Sequence, residues 1–176
     1  MPVEETTLKA YSLYIATYGE EYAKWPLHWG IFMTLCGSGE SDNFEDNMEG
    51  TLFHVSPSGN EQDYKNWKFE KKPHRPANST RVVQMFELGS YRIVNLGHFI
   101  TTIFKNGEEV TAQCKTDKEF NCTTWVKEML QRLEDDQHIT LAASRDVLYD
   151  ELHENGMKNH YRRTQPGDFV IVKHKD

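Results

Sequence analysis

Between Trp25 and Leu35 the chain reads WPLHWGIFMTL, an almost unbroken apolar run interrupted by His28, Gly30 and Thr34. A membrane helix needs about 20 such residues, so the run is too short to span a bilayer; it suits a strand covered on both faces. A chain holding such a strand needs layers above and below it. The 176 residues, 38% of them hydrophobic and including 9 Phe, 8 Tyr and 4 Trp, are enough for one domain that encloses a core. With 27 Asp and Glu against 20 Lys and Arg, the net charge of -7 has the wrong sign for a protein that binds by neutralising phosphates. Nucleic acid is therefore excluded as a first expectation, and so is an integral membrane segment. The opening MPVEETTLKAYS lacks a basic stretch followed by an apolar one, so a soluble, cytoplasmic protein is expected.

Turn residues divide the chain into further elements. Leu8 to Thr17 reads as a first strand, and Thr51 to Val55 as the return of a hairpin opened by the apolar run, joined by the acidic loop Gly37 to Gly50. Asn60 to Thr80, with Pro73 and Pro76 three residues apart, reads as an irregular excursion. Arg81 to Leu88, Tyr91 to Leu96 and His98 to Phe104 read as strands of an antiparallel meander, with Gly89, Gly97 and Asn106-Gly107 as turns. After Asn121 the period changes. Trp125, Val126, Met129, Leu130 and Leu133 recur at helical spacing, and Asn121 suits the N-cap. A second helix is expected over Ser144 to Glu154, stopped by Asn155-Gly156, and a closing strand over Asp168 to Lys173. The expected class is α+β, a mostly antiparallel sheet with a helix that carries a cysteine at its start.

That cysteine is Cys122, one residue past the cap, where unpaired backbone N-H groups and the helix dipole favour an anion. Cysteine reactivity follows thiolate fraction, and a helix N-terminus with a nearby histidine lowers a thiol pKa. Cys36 and Cys114 carry no such context. His28 near the start of one hairpin strand and His54 near the end of the next fall at the same end of the sheet. A Cys-His-His set follows: Cys122 as nucleophile, His28 as its base, and His54 holding the tautomer of His28.

His28-Trp29-Gly30-Ile31-Phe32, Leu52-Phe53-His54-Val55-Ser56-Pro57 and Asn121-Cys122-Thr123-Thr124-Trp125-Val126, in that order, resemble the lecithin:retinol acyltransferase and HRAS-like-suppressor group. That group is a permuted branch of the NlpC-type papain-like thiol enzymes. The resemblance implies a nucleophile at Cys122, a base at His28, a polar partner at His54, and an acyl-thioester enzyme on an antiparallel sheet flanked by helices. The three blocks cover about a tenth of the chain. The two histidines are 54 minus 28, or 26, residues apart, a wider hairpin than is usual in that group.

The leading expectation is thus a cysteine enzyme that attacks an ester, amide or thioester and passes the acyl group to water or an amine. Trp29, Asn121 and Trp125 are its candidate substrate-binding residues, although aromatics at these spacings also suit a core. The alternative is an acid-base tailoring enzyme, an isomerase or cyclase, that uses His28 and His54 without a covalent step. A third is a binding protein of the same fold. No cofactor or metal is expected: His153-Glu154-Asn155-Gly156-Met157 lacks the second histidine of a zinc motif.

Overall fold

The computed structural model describes residues 8–9, 11–19, 27–34, 50–57, 67–90, 96–114, 117, 119–161 and 169–173. Strands β1 (Ser12–Gly19), β2 (Leu27–Thr34), β3 (Gly50–Pro57), β4 (Trp67–His74), β5 (Val82–Ser90) and β6 (Val170–Lys173) form one sheet in the order β4-β3-β2-β1-β5-β6. All neighbours are antiparallel except β5 and β6. Three helices, α1 (Leu96–Cys114), α2 (Cys122–Asp135) and α3 (Arg145–His160), complete an α+β fold. None of the described helices is long and apolar enough to cross a membrane.

Strand alternation sorts the sheet's side chains onto two faces. Leu13 and Ile15 of β1, Leu27, Trp29, Ile31 and Met33 of β2, and Phe53 and Val55 of β3 pack with the apolar stripes of the helices. Tyr14, Ala16 and Tyr18 of β1, Phe32 of β2 and Leu52 of β3 belong to a separate cluster on the opposite face, with Val82, Met85 and Ile171. β1 and β2 are buried on both faces, as their near-continuous apolar sequence requires.

Helix α2 forms where its period and cap place it. The Asn121 side chain accepts hydrogen bonds from the backbone N-H of Thr123 (2.8 Å) and of Thr124 (3.1 Å). The Thr124 hydroxyl stands 2.8 Å from the Asn121 N-H, closing a reciprocal capping box. Such a cap stabilises a helix by roughly 1 kcal/mol. Its face of Cys122, Trp125, Val126, Met129, Leu130 and Leu133 is buried throughout.

Four expectations are corrected. Residues 98–104 belong to α1 and not to a strand: Phe99, Ile103, Asn106 and Val110 recur at four, three and four residues, and all four are buried. Asn106-Gly107 is helix interior, because Gly107 faces the Phe69 ring, where a Cβ would come within 2.6 Å of ring carbon. Within the expected excursion, residues 67–74 form β4. Pro73 is tolerated there because β4 is an edge strand, and only Pro76 breaks the element, opening a short 3-10 turn. Asn155-Gly156 does not end α3, which continues to His160; Gly156 is buried against Leu27. The loop at 37–49, the excursion's start at 60–66, the strand expected at 91–95 and Cys36 lie outside the described residues.

Candidate functional site

β2 and β3 bring two histidines into contact. His28 is the second residue of β2, and the β2–β3 pairing begins two residues on, with Gly30 opposite His54. Because Gly30 has no side chain, nothing on that face stands between the rings: a Cβ there would come within 3.0 Å of His54 Cβ. His28 Nε2 lies 2.8 Å from His54 Nδ1, and the rings meet edge to face at 5.1 Å. On the far side of His54, β4 places Glu70 in register, with Oε2 3.3 Å from His54 Nε2 but outside hydrogen-bond geometry, so that Nε2 has no hydrogen-bond partner among the described residues.

Of the two tautomer pairings that the 2.8 Å His28–His54 contact allows, the one with the His54 proton on Nε2 turns that N-H toward the Glu70 carboxylate, and Nδ1 then accepts from His28 Nε2-H. In that pairing His28 Nδ1 carries no proton. Both rings are neutral at pH 7. Burial is the main cause, pushing His28 down to about 3 and His54 down to about 4. For His28 the neighbouring His54, Lys72 and Arg81 add to it while Glu70 opposes; for His54 the additional contributions come from Lys72 and His74.

Tyr18 and His74 complete the cluster. Tyr18 pairs with His28 across β1–β2, with ring centroids 6.2 Å apart, and its ring meets that of His74 at 5.5 Å. Tyr18 is 7% exposed, and its hydroxyl has no hydrogen-bond partner among the described residues. Neither has His74 Nε2. Burial holds the Tyr18 phenol far above its usual range and lowers His74.

Cys122 is not in this cluster. The sulfur's residue packs with Trp29, on the face covered by helices, whereas His28 projects with Tyr18 from the other face. His28 and Trp29 are adjacent in a strand, so their side chains must point oppositely. The expected Cys122–His28 juxtaposition is therefore corrected: the His28–His54 pair forms, and the sulfur lies on the wrong side of β2 to join it. Cys122 is 6% exposed, and burial pushes its thiol up to about 11 despite partial compensation by hydrogen bonds at the Trp29 and Thr123 backbone and the Thr123 side chain.

The three residues expected to bind substrate have structural partners. Trp125 is fully buried, stacks on Phe69 at 5.6 Å between centroids and donates its indole N-H to the Gly107 carbonyl at 3.3 Å. Trp29 is 3% exposed and stacks on Tyr149 at 5.4 Å. Asn121 is the cap of α2, and its amide nitrogen donates to the Glu119 carbonyl at 3.1 Å. Among the described residues, no group of three or more His, Cys, Asp or Glu is disposed to hold a metal ion.

Tyr18, Glu70 and His74 escape a reading of the sequence alone. The alternation Trp67, Phe69 against Lys68, Glu70, Lys72 was the available signal for β4, and it would have set Glu70 beside His54 once β3 was placed. No curated protein and no solved structure matches the chain. Residues 11–174 match the model of a family of unknown function, DUF6914.

Proposed function

The chain belongs to DUF6914, a family of unknown function, and we propose from its geometry that it is an acid-base enzyme acting on a small molecule, an isomerase or cyclase. The observation that carries this reading is the His28–His54 hydrogen bond of 2.8 Å between two largely buried imidazoles, with the Glu70 carboxylate 3.3 Å from the far nitrogen of His54. His28 Nδ1 accepts a proton from the substrate. His54 fixes the tautomer of His28, and Glu70 opposes the positive charge that develops. Burial makes the neutral His28 ring a weak base and its protonated form a strong acid, so a substrate carbon that gives up a proton here must itself be acidic.

A second reading is thiol-dependent acyl transfer or hydrolysis at Cys122 through an acyl-thioester, as the resemblance implies. One observation favours it: the sulfur sits at the first turn of a capped helix and interacts with the backbone of Trp29, the residue after His28. Its burial and its separation from an imidazole oppose it.

The two readings divide on carbon-bound deuterium. The protein is incubated in deuterated water with a small-molecule extract, and mass spectrometry reads incorporation. Under the acid-base reading, wild type and Cys122→Ser incorporate label equally, and His28→Ala loses about 100-fold or more. Loss in Cys122→Ser, or incorporation that survives His28→Ala, overturns it.

A further inference from the structure

We infer that Tyr18 is the hydrogen-bond donor for an oxyanion in this site, which assigns the substrate to small carbonyl compounds with an acidic hydrogen on the adjacent carbon. The inference rests on the acid-base reading and names the group that works opposite its base. Tyr18 stands directly across from His28 in the β1–β2 register, on the same face of the sheet. It is more than nine-tenths buried, and its hydroxyl has no hydrogen-bond partner among the described residues.

A buried O-H without an acceptor is destabilising, and the ring contacts of Tyr18 with His28 and His74 supply none. A ligand oxygen would. Because the phenol stays protonated at neutral pH, it has an O-H to donate, and it pairs with oxygen that gains negative charge. Lys72, which projects from β4 on the same face as Glu70 and His74, adds a positive field favouring such an anion.

The step balances without a co-reactant. His28 Nδ1 removes the proton from the carbon beside the carbonyl. The C-H electron pair becomes a carbon-carbon double bond as the carbonyl π pair moves onto oxygen, and the resulting oxyanion accepts a hydrogen bond from the Tyr18 hydroxyl. His28 then returns the proton to that oxygen, or to another carbon, giving the isomer.

Binding of 4-nitrophenol, whose phenolate oxygen mimics the oxyanion, tests the role of Tyr18 without requiring turnover. Bound probe is read by its absorbance shift in a titration of wild type, Tyr18→Phe and, as a control, Tyr161→Phe at a tyrosine that is 77% exposed. Wild type and Tyr161→Phe are expected to bind equally, and Tyr18→Phe about tenfold or more weakly, with an unchanged circular dichroism spectrum. Equal binding by Tyr18→Phe, or no binding by wild type, overturns the inference. His28-dependent deuterium incorporation in the same preparation would then leave the acid-base reading standing without it.

Discussion

Trp125→Ala is expected to lower the free energy of unfolding by about 3–5 kcal/mol, the range for emptying a large aromatic site in a core. The indole is fully buried where α1, α2 and β4 meet, and it stacks on Phe69, the ring that also covers Gly107. Truncation leaves a void lined by a rigid strand and two helices that cannot easily collapse. Loss of the indole N-H matters less, because the Gly107 carbonyl also accepts from the Thr111 hydroxyl at 2.7 Å. Trp125→Phe should therefore recover more than half of the loss. Urea denaturation of the two variants checks this; a change under about 1 kcal/mol for Trp125→Ala would show that the ring lines an open site and not the core.

Acidification should be the other large effect. His54 is 4% exposed, and its pKa is lowered from 6.5 to about 4 by burial, Lys72 and His74. The unfolded chain thus takes up a proton as pH falls below about 6.5, while the folded chain holds His54 neutral until about 4. The unfolded state binds more protons in this window, so stability is complete above it, falls with falling pH across it, and levels off below. The contribution of His54 is about 3 kcal/mol, and His28 acts in the same direction. Urea unfolding at pH 7 and at the acid end of the window, in wild type and His54→Gln, isolates it. The variant should lose less stability on acidification than wild type; equal losses would show that His54 titrates as an exposed histidine.

Much of the fold is legible in the sequence. The stripe from Trp125 to Leu133 and the cap at Asn121 locate the start of α2 to the residue, because local spacing and local hydrogen bonding both specify it. β2, β3 and β6 follow from apolar runs bounded by turn residues. α1 is hidden because its Thr- and Ile-rich start has strand character and its Asn-Gly pair resembles a turn; the close packing of Gly107 on Phe69 is a tertiary fact. β4 is hidden by Pro73, which is permitted because β4 is the edge of the sheet among the described strands.

The site is half legible for a related reason. Histidines at the matching ends of two paired strands meet, and the His28–His54 contact follows from the hairpin alone. Which face the helices cover does not. In β2 the set Leu27, Trp29, Ile31 and Met33 is wholly large and apolar whereas His28, Gly30, Phe32 and Thr34 is not, but seven of the eight residues are buried, so burial alone does not single out the helix side. A change of parity by one residue decides whether His28 meets the sulfur or the tyrosine, as it does in any strand.

Alkylation of the native protein by iodoacetamide at neutral pH tests that parity most directly. With the sulfur buried on the helix side of β2 and the imidazole on the other, Cys122 should label no faster than the half-buried Cys114, and His28→Ala should leave its rate unchanged. Rapid labelling of Cys122 that slows in His28→Ala would place the two side chains together and contradict the separation on which the proposed chemistry rests.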